Sequence, residues 1–234
     1  MIILNIRIKD LQEKFKDVSF SVLDIETTGL DPVEHNIIEV GVLKLHKGEF
    51  QQPGFNTLIN PGDVDDISPR IFALCEGLKR SELKKAKPIE ELKENIIEQL
   101  DYEQIIAHNA AFEEKFLVEN LDSNFLNKDY LDTMILFHLV KPSMERYKLD
   151  FILQQYNYSP EKHRAYSDTK DTLKMMDIIL LEENIEWLKS IRDYMEGTGW
   201  GFNRVINNYI RYKEDYNAIK KINRKTNKNE LEIR

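Results

Sequence analysis

The chain has 234 residues, 41% of them hydrophobic, and carries a formal net charge of −8 at pH 7, a length that supports one sizeable core with at most an appendage. No run approaches the roughly 18 consecutive apolar residues of a membrane span. The opening "MIILNIRIKDLQEKF" is broken by Arg7, Lys9 and Asp10 before any long apolar centre forms, so a cytoplasmic protein without a membrane partner is expected.

The acids are spread unevenly. Residues 200–234 hold nine Lys or Arg against four Asp or Glu, leaving an acidic body and a basic tail. Such a body can still meet a polyanion if metal ions neutralise its acids and the tail meets the phosphates. The single cysteine, Cys75, excludes an internal disulfide. With no Cys or His at metal-site spacing around it, it is expected to be a small buried apolar residue.

In chain order, "VSFSVLDIE" places Val18, Phe20, Val22, Asp24 and Glu26 on one face of a strand, because successive side chains alternate. Both carboxylates fall at its carboxyl end. "NIIEVGVLKL" and "FNTLI" continue as strands of a meander, with a turn at "HKGE". The turn-rich "NPGDVDDISP" leads into one helical stretch near residues 69–80, and a stronger helix follows Pro88, with Leu92, Ile96 and Leu100 at helical spacing.

Strands then alternate with helices. "QIIAHN" is a short buried strand, "AAFEEKFLVEN" a helix with Phe112 and Phe116 on one side, and "YLDTMILFHLV" a strand end running into a helix. "LDFILQQYN" and "SDTKDTLKMMDIILLEEN" are further helices, the latter with Leu173, Met176 and Ile179 or Leu180 as its apolar stripe. The pattern is that of a layered α/β domain. It closes near residue 183, giving a domain over 1–183 and a helical, basic extension over 184–234. In that extension Trp200, Phe202, Tyr209, Tyr212 and Tyr216 alternate with Arg and Lys, a composition that serves nucleic-acid stacking or, alternatively, packing on the core.

An acid pair two apart on a strand is weak on its own. The chain adds "HNAAFE" at 108–113 and "HRAYSD" at 163–168, so the order becomes acid, acid, acid, histidine, acid. With "LDIETTGL" as the first motif, this order resembles the DEDDh family of 3′-to-5′ exonucleases, the group that includes ribonuclease T, oligoribonuclease and the proofreading subunit of bacterial DNA polymerase III. The resemblance covers about residues 17–183. A sister group has a tyrosine four residues before the last aspartate; here Arg164 holds that position and His163 lies five before, which gives the histidine subtype.

The resemblance implies a ribonuclease H-like α/β fold, with a mixed sheet, helices on both faces and the C-terminal helical extension. It implies a metal-dependent 3′-to-5′ exonuclease acting on single-stranded DNA or RNA ends. Two divalent cations, Mg2+ or Mn2+, would be its cofactors, because hard ions take carboxylate and water oxygens and a pair of them can hold both the attacking and the leaving oxygen. By the same resemblance Asp24, Glu26 and Asp168 would hold the ion that binds the attacking water, with Asp24 bridging to the second. His163 would take the proton, as an imidazole titrating near neutrality can. Thr27 and Thr28 would present their backbone to the terminal nucleotide, and Leu30 and Phe112 would pack on its base. A polymerase or a second copy of the chain are the implied partners beyond nucleic acid.

One departure stands out. The family has aspartate where this chain has Glu113, and Glu114 lies about 100 degrees away around the helix. Glu113 would reach the second ion through water, where an extra methylene is absorbed. An acid in a first helical turn also suits the helix dipole whatever its function. Asp132 matches a family position but serves equally as a helix N-cap, and His108 and Asn109 shape a loop. The alternative to an enzyme is a decayed exonuclease fold that binds nucleic acid or a partner without cutting, with Glu113 as its first sign.

Overall fold

In the computed structural model the chain is described over residues 16, 18–102, 104–158, 163–181, 189, 190 and 193. The expected extension over 184–234, with its aromatic and basic alternation, lies almost wholly outside these residues. Among the described residues seven strands form one mixed sheet: β1 (Phe20–Thr27), β2 (Ile37–His46), β3 (Glu49–Phe50), β4 (Phe55–Asn60), β5 (Lys87–Pro88), β6 (Gln104–Ala107) and β7 (Asp129–Asp132). The order across the sheet is β5-β4-β2-β1-β6-β7, with β3 paired to β2. β2 runs antiparallel to β1, β3 and β4, whereas β6 is parallel to β1 and β7 to β6. The β2–β3 hairpin turns on Lys47 and Gly48, both at positive φ, the mirror-image turn whose twist suits adjacent strands.

Among the described residues the α-helices are α1 (Pro69–Leu74), α2 (Arg80–Leu83), α3 (Ile89–Gln99), α4 (Ala110–Asn120), α5 (Thr133–Val140), α6 (Leu149–Gln155) and α7 (Ala165–Leu181). They cover both faces of the sheet. On one face Phe20, Val22, Leu43 and Ile106 pack with Phe137, Ile152, Met175, Met176 and Ile179 from α5, α6 and α7. On the other, Leu23, Ile25, Val40 and Ile105 pack with Ile96 of α3 and Phe116 and Leu117 of α4. Central strands buried on both sides explain why β1 reads as a nearly continuous apolar run up to Asp24.

Two expectations need correction. The single helix near 69–80 is two short ones, because the chain leaves helical geometry at Cys75 and turns through Gly77 at φ +85°. The break drops Ile67, Cys75, Leu78 and Leu83 into a third, small apolar cluster with Ile38. The apolar stripe of α7 is also wider than the spacing of Leu173, Met176 and Ile179 suggests. Met175 and Ile178 are wholly buried as well, and so are Thr169 and Thr172, because this helix lies flat across the sheet centre.

That close approach depends on Gly41. A Cβ on Gly41 would collide with the backbone of Ala165 and Tyr166 at the start of α7, and backbone cannot swing aside as a flexible side chain can. Gly41→Ala will therefore destabilise the domain by about 1–3 kcal/mol. Urea denaturation will show this as a lower midpoint at unchanged slope. Among the described residues no helix is long and apolar enough to cross a membrane.

Candidate active site

Alternation along β1 sends Phe20 and Val22 into the core beneath α7, so Asp24 and Glu26 emerge on the same side at the strand's carboxyl end. There the pairing with β2 steps from Glu26 opposite Glu39 to Thr27 opposite Ile37, skipping Ile38. This bulge redirects the strand end. The first turn of α7, seated over Gly41, brings Asp168 to the same place. One carboxylate oxygen from each of Asp24, Glu26 and Asp168 lies within 4.8 Å of the others. His163 stands just before α7, its Nδ1 3.8 Å from Asp168 Oδ2 and its ring well exposed. Four of the five residues expected to act together are thus brought together.

Electrostatics within the cluster is unfavourable to bare charge. Burial, followed by the charges of Asp168, Glu113, Glu26 and Glu39, holds the Asp24 carboxyl well above the usual carboxylate range. Burial also raises Glu26, against an opposing hydrogen bond from Cys75. The Cys75 Sγ donates to Glu26 Oε2 at 3.2 Å. Burial and the Glu26 charge push its thiol far up, so it keeps the proton it donates. Cys75 is buried as expected, yet its role is polar as well as apolar.

Glu113 lies in the first turn of α4, which begins just past the carboxyl end of β6, the parallel neighbour of β1. It is 3% exposed, its Oε2 has no hydrogen-bond partner, and burial raises its carboxyl well above the ordinary value. It stands outside the tight trio but close enough for its charge to act on Asp24. A buried carboxylate oxygen without a partner costs free energy unless a proton or cation meets it. Three crowded hard oxygen donors with a fourth orphaned beside them fit a divalent cation such as Mg2+ or Mn2+.

The remaining expected residues surround this centre. Thr27 is buried, its hydroxyl donating to the Gly29 carbonyl at 2.6 Å, and Thr28 Oγ1 accepts from the Asn36 amide at 3.0 Å. Leu30 is 84% exposed at the tip of the loop after β1. Phe112 is half-buried, its ring centroid 4.9 Å from that of Phe116. Asp132 caps α5, accepting from the amides of Met134 and Ile135, and also accepts from Asn109, so the capping account holds. His108 donates from Nε2 to the Tyr147 carbonyl at 2.9 Å, and burial lowers its pKa; it braces the loop as a neutral ring. Beside the trio opens a cavity of about 400 Å³, lined by Leu74, Met134, Lys148, His163, Asp168 and Asp171 among others.

Sequence reasoning missed Cys75, Glu39 and the use made of Arg164. The signal for Glu39 is an acid inside the apolar strand "IIEVGVL", which a buried strand accepts only if the charge is paired. Cys75 left no such mark, since only the break between α1 and α2 turns it toward Glu26.

Residues 21–176 match a family model described as Exonuclease, that of RNase_T. The chain belongs to the DEDDh family of 3′-to-5′ exonucleases. Its curated relatives include the PolC-type DNA polymerase III of Thermotoga petrophila, 33% identical over 204 residues, a match covering 81% of this chain and 14% of that protein. The PolC-type polymerase of Clostridium perfringens is 30% identical over 168 residues, covering 70% of this chain and 11% of the relative. The matches thus span only 11–14% of the length of these polymerases. Among solved structures, the nuclease domain of 3′hExo, a DEDDh family member bound to rAMP, aligns with TM-score 0.59 at 16% identity, covering 70% of this chain and 92% of that one. Exonuclease I of E. coli in complex with a dT13 oligonucleotide aligns with TM-score 0.62 at 13% identity, covering 75% and 44%. These exonuclease structures share the fold, a ribonuclease H-like α/β domain.

Proposed function

We propose that this exonuclease shortens single-stranded DNA or RNA from the 3′ end by metal-dependent phosphodiester hydrolysis. The observation that carries the reading is the convergence of Asp24, Glu26 and Asp168 within 4.8 Å, beside His163 and the orphaned carboxylate of Glu113. Asp24, Glu26 and Asp168 would hold one divalent ion, and Asp24 together with the nearby Glu113 would serve a second. Bound Mg2+ or Mn2+ supplies Lewis-acid stabilisation of charge on the phosphoryl oxygens.

His163 removes the proton from the attacking water. Its exposure suits a group that meets substrate and solvent in each turnover, and Asp168 beside it steadies the imidazolium that forms. The backbone at Thr27 and Thr28 faces the terminal nucleotide, with Leu30 and Phe112 against its base. Leu30 is otherwise an apolar side chain left in water, and a base face supplies its cover. The match to one segment of PolC-type polymerases supports a polymerase as partner.

End-labelled single-stranded DNA and RNA of one sequence, incubated with Mg2+, Mn2+ or chelator, test the reading. Stepwise shortening from the 3′ end that stops with chelator is expected, and the faster substrate names the preferred sugar. A folded protein that shortens neither strand in any metal would leave a binding module in place of an enzyme.

A further inference from the structure

We propose that the buried Glu39–Arg164 ion pair is a positioning device that sets Asp168 and His163 against the carboxylates of β1. The inference rests on the reading of Asp168 as a metal ligand and His163 as the base. Arg164 lies between His163 and the first residue of α7. Its Nε donates to Glu39 Oε2 at 2.8 Å and an Nη to Oε1 at 2.9 Å. Glu39 is wholly buried and the Arg164 side chain is 25% exposed.

The placement of Glu39 gives the pair its reach. It faces Glu26 directly across the β1–β2 ladder, and two residues on, Gly41 faces Asp24. Gly41 is where the backbone of Ala165 and Tyr166 presses on the sheet. The carbonyl of Arg164 accepts from the Asp168 amide at 3.0 Å. One residue therefore grips β2 through its side chain and the first turn of α7 through its backbone, with His163 immediately before it. For stability alone, an apolar pair of similar volume does as well as a buried ion pair. A guanidinium fork on a carboxylate adds a fixed orientation that an ammonium or a methyl group cannot supply.

Charge and position predict opposite signs, which makes the proposal testable. Arg164 is a cation beside the metal carboxylates, so removing its charge without moving anything makes the cluster more negative and tightens a divalent ion. If Arg164 is a clamp, removing it lets α7 and Asp168 drift and weakens the ion. Mn2+ binding to the metal-free, full-length protein will be measured by calorimetry for wild type, Arg164→Gln and Arg164→Lys, with thermal melting as the check on folding.

The expected result is Mn2+ affinity weakened about 10–100-fold in Arg164→Gln, the range typical of outer partners of metal ligands. Arg164→Lys, which keeps the charge but loses the fork, will be weakened too and guards against a Gln variant that fails to fold. At saturating Mn2+ both variants will show lowered kcat on an oligonucleotide with KM unchanged. Folded variants that bind Mn2+ as tightly as wild type, or more tightly, overturn the clamp. So does a rise in KM at unchanged kcat, which makes Arg164 a phosphate contact instead. Wild-type protein that binds no Mn2+ overturns the metal reading itself, and the clamp with it.

Discussion

Asp24→Asn will lower exonuclease activity on the order of 10³-fold or more, and at neutral pH it will make the metal-free protein more stable. Both effects follow from one position. Asp24 projects from the middle of the site, and burial, then Asp168, Glu113, Glu26 and Glu39, act together to disfavour its charge. For a carboxylate whose folded pKa is raised, the folded state holds protons that the unfolded state has released. Its penalty on stability is absent below the ordinary carboxylate range and grows as pH rises through the interval up to the raised value. Glu113 is shifted in the same direction by burial. Metal-free wild type will therefore melt higher as pH falls from 7 toward 5. In Asp24→Asn that slope will flatten, and the metal-free variant will melt above wild type at pH 7. Saturating Mg2+ will remove the slope in wild type, because the cation takes over the work of the proton. A metal-free protein whose melting temperature is indifferent to pH in this range would contradict the crowding of these carboxylates.

His163→Gln will reduce kcat by about 10²–10⁴-fold, the range of a lost general base, without disturbing the metal cluster. The ring is more than half exposed and lies 3.8 Å from Asp168, so its removal will change stability by no more than about 0.5 kcal/mol. Single-turnover cleavage of an end-labelled oligonucleotide will report the loss. Mn2+ calorimetry on the same sample will report unchanged affinity. Cleavage at the wild-type rate would remove His163 from the reaction and assign proton transfer elsewhere.

Asp24 and Glu26 were legible in the sequence because strand alternation is local: two apolar residues in the core fix where the next two side chains of that face must point. His163 and Asp168 were legible only through the resemblance of "HRAYSD" to the family's third motif. The α/β layering followed from the same periodicities. The helix of residues 69–80 was misread because its apolar spacing continues through Cys75 and Leu78, whereas the turn at Gly77 and the cluster around Ile38 decide the path.

The partnership of Glu39 with Arg164 was hidden for a related reason. The residues face each other only after β2 takes its register on β1 and α7 settles on Gly41. Glu113 was visible as an acid in a first helical turn. Its orphaned oxygen emerged only when α4 packed against β1 and β6 and closed water out.

The bond from Glu39 to Arg164 spans 125 positions of the chain. Such long loops close late and slowly, since their entropy is lost before any distant contact compensates. During synthesis, a nascent chain exposing β1 and β2 already carries two of the clustered acids but lacks Asp168, His163 and Arg164. On the proposed mechanism, a chain that ends before α7 lacks Asp168 and would not cut, so truncation before Ala165 will abolish cleavage in the end-labelled assay.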